Sequence, residues 1–246
     1  MKTTRRCLTL LLMAFAGLHG LQAEKGDARE MDTFIDGNDT LNIHFYGHGS
    51  LMLEFNRLTV YVDPVGRYAD YASLPRADII LITHEHGDHL DPAAVRQIAD
   101  AGTTIVSNAK SAQKLEAARI LKNGESCDIS GLTLEAVPAY NITKGRKAFH
   151  PKGNGNGYVL TLGAKRVYIA GDTEDIPELK KLKNIDIAFL PVNQPYTMTV
   201  EQAARAARII RPACFYPYHY GATDVSLLKD LLKNERGIEL RIRRMS

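Results

Sequence analysis

The segment Thr83-His84-Glu85-His86-Gly87-Asp88-His89-Leu90-Asp91 determines how this sequence is interpreted. It directly follows the apolar run Ile79–Ile82, which is typical of a strand covered on both faces. Its first two histidines are two positions apart, so their side chains project to the same side of an extended chain. A glycine then permits a tight turn, which brings an aspartate and a third histidine to the same region. Imidazole and carboxylate groups are the ligands that zinc prefers, and they also suit iron and manganese, so the segment predicts a metal site.

The composition around this segment is that of an ordinary globular protein. The chain has 246 residues, of which 45% are hydrophobic and 24% charged, and this excludes disordered, collagen-like and coiled-coil proteins. Its formal net charge of +3 matches the three cations Lys2, Arg5 and Arg6 near the amino terminus, so the remainder is formally neutral. A neutral body argues against non-specific binding to nucleic acid, which depends on a cationic surface.

The amino terminus is typical of an export signal. Met1–Arg6 is cationic, Leu8–Leu18 is an apolar run too short to span a bilayer as a helix, and Ala23 offers a small residue for cleavage. We therefore expect residues 1–23 to be a signal peptide and the protein to be periplasmic or secreted. An uncleaved membrane anchor is the alternative; after cleavage we expect no stable membrane insertion. Residues 24–40 are expected to form a flexible leader, and residues 41–246 the functional domain.

Strand-like and helix-like segments alternate in that domain. The predicted strands are Leu41–Tyr46, Leu51–Phe55, Leu58–Val62, Ile79–Thr83, Thr103–Val106, Leu132–Val137, Gly157–Leu162, Arg166–Ala170, Ile185–Leu190, Cys214–Tyr216 and Ile238–Ile242. The predicted helices are Pro92–Ala99, with Asp91 as its N-cap, and Ala109–Ala117, Val200–Ile210 and Leu227–Lys233. This order predicts an α/β (α+β) domain of two mixed sheets with helices outside.

Two cysteines, Cys127 and Cys214, remain after the predicted signal peptide. They are far apart in the sequence, and each lies in a strand-like run without the close spacing of a Cys-x-x-Cys site. We expect two buried thiols, with a single disulfide as the alternative.

The histidine-rich segment resembles the H-x-H-x-D-H signature of the metallo-β-lactamase superfamily. The resemblance extends over nearly all of Leu41–Ile242 and is closest to the lactonase- and phosphodiesterase-like branch of metal-dependent hydrolases. Its supporting pieces are Gly47–Ser50, Val62–Pro64, Ala170–Thr173 and Pro217–Gly221. The resemblance implies a four-layer αββα sandwich with a metal site at one edge of its two sheets. It also implies one or two divalent metals, with zinc as the first expectation and manganese or iron as alternatives.

The resemblance carries specific roles onto residues of this chain. The histidine pair corresponds to ligands of a first metal, the next aspartate and histidine to ligands of a second, and a later Gly-Asp-Thr to a bridging carboxylate. The implied ligands are His84, His86, Asp88, His89, Asp172 and His219. Asp63 corresponds to a residue that supports the histidine loop by hydrogen bonding. His48 is expected near the edge of the site, as a structural or a substrate-facing residue.

One expected ligand has no counterpart in the sequence. Two-metal members of the family supply a further histidine after the strand that corresponds to Leu132–Val137, but this chain has Val137–Asn141 there, without histidine. Three hypotheses follow. His150 in the next loop completes the first site, the amide oxygen of Asn141 does so, or the first site binds its metal weakly.

The loop 141–156 that carries these residues is long, glycine-rich and cationic. Its four basic residues, Lys144, Arg146, Lys147 and Lys152, either form a solvated surface or attract an anionic substrate to the site. Lys152 is a candidate for substrate binding, together with Tyr140 and Tyr196.

A hydrolytic function follows from the resemblance. We expect metal-bound hydroxide to cleave an ester, lactone or phosphoester bond in a small, anionic substrate, while Asp88 and Asp172 orient the hydroxide as catalytic residues. The alternatives are a mononuclear iron redox enzyme on the same fold and a non-catalytic metal-binding protein.

Overall fold

The first half of the chain forms a seven-stranded sheet whose strands follow chain order. The structure, a computed structural model, describes residues 30–245; the predicted signal peptide lies outside them. The strands are β1 (Met31–Asp36), β2 (Asp39–Gly47), β3 (Ser50–Phe55), β4 (Leu58–Val62), β5 (Ile79–Leu81), β6 (Thr104–Ser107) and β7 (Arg119–Ile120). The first three pairings are antiparallel and the last three are parallel.

The second half repeats this arrangement in a second seven-stranded sheet. Its strands are β8 (Ser126–Ile129), β9 (Leu132–Ala139), β10 (Gly155–Leu162), β11 (Lys165–Ile169), β12 (Ile187–Pro191), β13 (Cys214–Tyr218) and β14 (Glu239–Leu240). Again three antiparallel pairings precede three parallel ones. Four α-helices accompany the sheets within the described residues: α1 (Pro92–Ile98), α2 (Ala109–Ala112), α3 (Val200–Ile210) and α4 (Leu228–Leu232). No helix among residues 30–245 is long and apolar enough to cross a bilayer.

The two sheets face each other across the main core, which confirms the predicted four-layer αββα sandwich. Neighbouring residues of a strand point to opposite layers because side chains alternate along it. In β4, for example, Val60 faces the second sheet, whereas Tyr61 packs toward α1 with Val95. On the far side, Tyr168 and Ala203 belong to the outer core beneath α3. Both sheets are therefore covered on two faces, as the continuous apolar strands indicated.

Most predicted elements are present, and helix α3 has the predicted bounds, which are fixed by a capping box between Thr199 and Gln202. Asp91 is the N-cap of α1 as predicted, accepting hydrogen bonds from two backbone amides of the first turn. Strands β7 and β8 were not predicted, because each is short and lies at the edge of its sheet. Strand β14 covers only part of the predicted Ile238–Ile242.

Two predicted segments need correction. The expected flexible leader 24–40 is wrong from residue 31 onward, because Met31–Asp36 forms an edge strand whose Phe34 packs on the core. The helix predicted over Ala109–Ala117 ends at Ala112. Beyond it, Lys114 and Leu115 make backbone hydrogen bonds three residues back, which is the tighter pattern of a 3-10 turn.

Both cysteines that the structure describes are free thiols. Cys214 is buried and Cys127 is half-buried. Burial raises the pKa of the Cys214 thiol to about 11, so this sulfur is unreactive at neutral pH.

Candidate metal centre

The candidate centre lies where the parallel strands of both sheets end. Asp63 directly follows β4, the histidine-rich segment follows β5, Asp172 follows β11 and His219 directly follows β13. Carboxyl ends of neighbouring parallel strands meet at one edge of a sheet, and the sandwich brings the two edges together. The predicted ligands, far apart in sequence, therefore converge.

The first ligand group consists of His84, His86 and His150. One ring nitrogen of each lies within 4.8 Å of the others, and His84 Nε2 is 3.1 Å from His86 Nδ1. His150 comes from the loop after β9, and its Nδ1 donates to the carbonyl oxygen of Tyr196 at 3.1 Å. A carbonyl can only accept, so Nδ1 carries the proton and Nε2 is left as the ligand atom.

Asn141, the other residue considered for this position, holds two loops together. Its amide nitrogen donates to the carbonyl oxygens of Tyr196 at 2.7 Å and Arg146 at 3.2 Å. Its backbone amide also donates to the carbonyl oxygen of His150. Proximity to the histidine pair therefore favours His150 as the additional ligand, whereas Asn141 holds the loop that carries it.

The second ligand group contains Asp88, His89 and His219, together with His48. One ligand atom of each residue lies within 4.8 Å of the others. His48 Nε2 is 3.1 Å from Asp88 Oδ2, and the rings of His48 and His219 are 3.7 Å apart between centroids. His48 was expected at the edge of the site, and the structure places it within the ligand cluster.

Asp172 faces both groups. Its Oδ2 is 3.1 Å from His150 Nε2 and 3.3 Å from His219 Nε2, and its Oδ1 is 3.4 Å from His89 Nε2. Asp172 is also close enough to His84 and His89 for all three to share one ion. This is the geometry that a bridging carboxylate requires.

Asp63 supports the histidine loop from behind, in the position that the resemblance implied. Its Oδ2 is 2.8 Å from His89 Nδ1, so His89 Nδ1 carries a proton and Nε2 is directed to the centre. The same carboxylate accepts hydrogen bonds from the backbone amide of Thr83 at 2.8 Å and from its hydroxyl at 2.7 Å. The Thr83 oxygen in turn lies 3.0 Å from His84 Nδ1.

Close packing and unusual backbone conformations accompany this arrangement. His48, Asp63 and His219 all have positive φ, at 54°, 44° and 50°, a conformation that costs a non-glycine residue roughly 1 kcal/mol. Such residues concentrate at functional sites, where the surrounding structure holds them. Position 49 requires glycine, because a Cβ there would lie 2.9 Å from Cε1 of His89.

The ionisation states of the cluster favour metal binding at its first group. Burial holds the pKa of His84 well below its ordinary value, and it also lowers the pKa of His86. Burial alone would raise the pKa of Asp172, but the imidazoles of His219 and His89 outweigh it and hold this pKa well below the usual range. Neutral imidazoles and an ionised carboxylate are the forms that bind metal.

His89 shows the opposite shift. Burial would lower its pKa, but the carboxylates of Asp172 and Asp63 outweigh burial and raise it well above the ordinary value. A metal bound to this ring must displace one proton, so the second group binds metal in competition with protons.

Buried polar atoms without a hydrogen-bond partner indicate whether these residues fit a metal. Within residues 30–245, four buried atoms of the cluster make no hydrogen bond: His89 Nε2, His150 Nε2, His219 Nε2 and Asp172 Oδ1. Buried polar groups without partners are rare, because each costs ~1–3 kcal/mol. The four atoms belong to one nitrogen and oxygen donor set of the kind zinc prefers, so the residues fit one or two divalent cations.

A cleft of about 250 Å³ opens directly above the cluster. It is lined by His86, Asp88, Phe149, His150, Asp172, Asn193, Tyr196 and His219. Of the three residues considered for substrate binding, Tyr196 borders the cleft and Lys152 and Tyr140 do not. Lys152 instead forms an ion pair with Glu178 at 3.0 Å and lies over the Tyr140 ring.

Three contributors to this region were not identified from the sequence. Phe149 and Asn193 line the cleft, and Glu174 is a fully buried carboxylate that accepts hydrogen bonds from the amides of Ile142 and Thr143. Glu174 lies two residues after Asp172, so one short segment provides a ligand and also holds the loop that carries His150. In the sequence, only the proximity of Glu174 to the Gly-Asp-Thr motif could have indicated that Glu174 contributes to this region.

Comparisons with known proteins identify the family to which this chain belongs. The family model described as "Beta-lactamase superfamily domain" matches residues 42–219. A UPF0173 metal-dependent hydrolase from Thermus thermophilus is 30% identical over 190 residues, which cover 73% of this chain and 84% of the relative. A crystal structure from Parabacteroides distasonis, named as that of a metal-dependent hydrolase, is 55% identical with a TM-score of 0.86, and the match covers 89% of this chain and all of that one.

A more distant structure shares the fold alone. The metallo hydrolase Igni18 from Ignicoccus hospitalis is 24% identical, with a TM-score of 0.70, and the match covers 84% of this chain and 96% of that one. The family match spans most of the described residues and includes His48 and every candidate ligand from His84 to His219. The chain belongs to the metallo-β-lactamase superfamily of metal-dependent hydrolases.

Proposed function

We propose that this protein uses divalent metal, zinc first among the candidates, to hydrolyse an ester, lactone or phosphoester bond. The observation that carries the proposal is Asp172, whose two oxygens face both ligand groups beneath an open cleft. Solvent and a small substrate can both reach this position. Relatives named as metal-dependent hydrolases support the same class of reaction.

The chain's own residues orient the reacting groups. Bound divalent metals would supply Lewis acidity and lower the pKa of water from ~15.7 to about 7. Asp63 and the Tyr196 carbonyl fix the tautomers of His89 and His150, so that each presents Nε2 to the centre. Asp88, which lines the cleft and is half-buried, would orient the attacking water through its carboxylate, together with Asp172.

Two metals, rather than one, fit the number of donors. His150 would join His84 and His86 in the first group, and Asp88, His89 and His219 would form the second. Asp172 would serve both, since its Oδ2 lies 3.1 Å from His150 Nε2 and 3.3 Å from His219 Nε2. The mononuclear iron alternative depended on a missing ligand in the first group, and the position of His150 beside His84 and His86 argues against it. Metal analysis of purified protein distinguishes zinc from manganese and iron.

An anionic substrate remains part of the proposal on the basis of the cationic loop. Arg146 and Lys152 are paired with Glu174 and Glu178, whereas Lys144 and Lys147 are exposed and have no acidic partner among the described residues. In this proposal, these two lysines attract the anionic substrate over a long range. If they act so, kcat/KM of the Lys144→Gln and Lys147→Gln double variant will lose much of its dependence on ionic strength.

Export is a separate proposal that depends on the sequence of residues 1–23. Amino-terminal sequencing of the protein recovered from the periplasm or medium tests it. A protein found only in the cytoplasm with an intact amino terminus contradicts it.

Metal-free and reconstituted protein test the hydrolytic proposal. The protein is stripped with a chelator, reloaded with zinc, manganese or iron, and assayed on 4-nitrophenyl acetate, a five-membered lactone and bis(4-nitrophenyl) phosphate. We expect hydrolysis only in reloaded protein and at least ~100-fold less in Asp172→Ala. Equal rates in stripped and reloaded protein, or full metal occupancy in Asp172→Ala, contradict the proposal.

A further inference from the structure

The cleft above the cluster has two chemically different sides. One side consists of candidate metal ligands. The other side carries the rings of Phe149 and Tyr196, which are 36% and 46% exposed. Large apolar side chains exposed beside a polar reaction site are typical of ligand contacts rather than of a folding core.

The two rings form a fixed pair. Their centroids are 5.0 Å apart and their planes meet at 72°, an edge-to-face geometry. They come from different loops, but both loops are tied to the centre: Phe149 precedes the ligand His150, and the Tyr196 carbonyl accepts from His150 Nδ1 and Asn141 Nδ2. The rings therefore have a set position relative to the candidate metals.

Apart from its histidines, which are candidate metal ligands, the described lining of the cleft has no basic side chain that could bind a second anionic group. Among the described residues that line it, none is lysine or arginine. Two cations of the loop have other partners, since Arg146 pairs with Glu174 and Lys152 with Glu178. A substituent attached to the reacting bond would thus meet aromatic surface and not a counter-charge.

The volume also suits a ring-sized group. A cavity of about 150 Å³ accommodates benzene in other proteins, and this cleft measures about 250 Å³. An aryl ring together with a scissile ester or phosphoester group fits that space.

From these observations we infer that Phe149 and Tyr196 form a subsite for an apolar substituent, aryl or branched alkyl, next to the scissile bond. The inference rests on the proposed hydrolytic function for the position of that bond. A third ring stacked against the pair would gain the edge-to-face and offset contacts that aromatic groups favour.

Binding of two phosphonates to the zinc-loaded protein tests the subsite without hydrolysis. Phenylphosphonate and methylphosphonate carry the same metal-binding group and differ only in the substituent. We expect calorimetry to give a dissociation constant about tenfold lower for phenylphosphonate, and about equal constants in the Phe149→Ala and Tyr196→Ala double variant. The backbone carbonyl that holds His150 is kept in Tyr196→Ala.

Leu227→Ala is the matched control, because Leu227 is an exposed apolar residue of similar exposure, 51%, that does not line the cleft. It should keep the phenyl preference in full. Equal affinity of the wild-type protein for both phosphonates, no binding of either at millimolar concentration, or a preference that survives the double variant would overturn the subsite.

Parallel hydrolysis assays separate this inference from the proposed function. If the phenyl preference is present but no ester, lactone or phosphoester is hydrolysed, the proposed reaction fails and the subsite stands. If acetate and phenylacetate esters are hydrolysed with equal kcat/KM, the reaction stands and the subsite fails.

Discussion

Three buried histidines of the centre are each oriented by a partner on the side of the ring away from the candidate metals. Asp63 holds His89, the Tyr196 carbonyl holds His150, and the Thr83 hydroxyl approaches Nδ1 of His84. Such partners fix the ring and its tautomer before a metal binds, which lowers the reorganisation that binding requires. At the scale of single residues, the site therefore depends on side chains that never touch a metal.

His48 is the residue whose role the sequence left most open, and its replacement is informative. Because His48 Nε2 lies 3.1 Å from Asp88 Oδ2, we expect His48→Ala to weaken zinc binding at the second group by about 10–100-fold. Competition with a chromophoric chelator measures the affinity. His44→Ala is the control, since His44 pairs with Glu54 outside the cluster. An unchanged zinc affinity in His48→Ala would mean that His48 does not contribute to the metal centre.

Gly49 and Gly87 provide a second contrast. A Cβ at Gly49 would lie 2.9 Å from His89 Cε1, whereas a Cβ at Gly87 meets nothing within 4 Å. Gly49→Ala should displace the His89 ring and lower zinc affinity by about tenfold or more, and Gly87→Ala should leave it near the wild-type value. The same chelator titration applies. If the two variants bind zinc equally well, the close contact at Gly49 does not position His89.

At the scale of elements, one loop and one edge strand are each held in place by a carboxylate. The long loop after β9 supplies His150 and Phe149, and it is anchored by Glu174, whose side chain is fully buried. The edge strand β1 is anchored by the carboxyl-terminal segment through ion pairs of Asp32 with Arg241 and Arg243. Both anchors are carboxylates that join segments distant in sequence.

Replacing Glu174 with glutamine should loosen the loop. The carboxylate accepts from the backbone amides of Ile142 at 2.8 Å and Thr143 at 2.6 Å, and losing charged hydrogen bonds of this kind costs ~1.5–3 kcal/mol. We expect tryptic cleavage after Lys144 or Lys147 to become at least ~10-fold faster. Mass spectrometry of timed digests locates the cuts.

Glu178→Gln is the control for this experiment, because the Glu178 side chain bonds to the largely exposed Lys152 and the Tyr140 hydroxyl and not to backbone amides of the loop. It should digest at the wild-type rate. Equal digestion of wild-type protein and Glu174→Gln would mean that Glu174 does not hold the loop.

The Asp32 anchor predicts a pH dependence of stability. Burial raises the pKa of Asp32, but the Tyr216 hydroxyl and the Arg243 guanidinium lower it by more. Because the folded pKa lies below the unfolded value of about 3.9, the stabilisation is present above that pH and is lost as pH falls through the folded pKa.

Asp32→Asn should therefore lower the free energy of unfolding by about 2 kcal/mol at pH 7 and by less at pH 3. Urea unfolding at both pH values measures this. Asp36→Asn on the same strand, where Asp36 is exposed and pairs with Lys165, should change stability by no more than about 0.5 kcal/mol. Parallel pH profiles of the wild-type protein and Asp32→Asn would contradict the assignment.

At the scale of the whole molecule, the two halves have the same order of pairings, and corresponding strand ends supply corresponding groups. Asp63 follows β4 and Asp172 follows β11, the fourth strand of each sheet. One carboxylate supports the histidine loop and the other faces both ligand groups. The site thus needs both sheets and could not form from either half alone.

The sequence predicted the layers and the histidine segment because both depend on local patterns, such as apolar strands and ligands two to six residues apart. Asp172 and His219 were reached only through family resemblance, since nothing near them in sequence marks a site. The choice between His150 and Asn141 depended on the path of a loop, and Phe149, Asn193 and Glu174 depend on contacts between loops. Strand β1 was missed because its anchors, Arg241 and Arg243, lie at the other end of the chain.

The number of zinc ions bound per chain tests the central claim most directly. The claim is that His150 completes the first group and that Asp172 serves both. Equilibrium dialysis of stripped protein followed by elemental analysis should give about two zinc ions for the wild-type protein, about one for His150→Ala and less than one for Asp172→Ala. A single zinc ion in the wild-type protein, or two retained in either variant, would contradict the account.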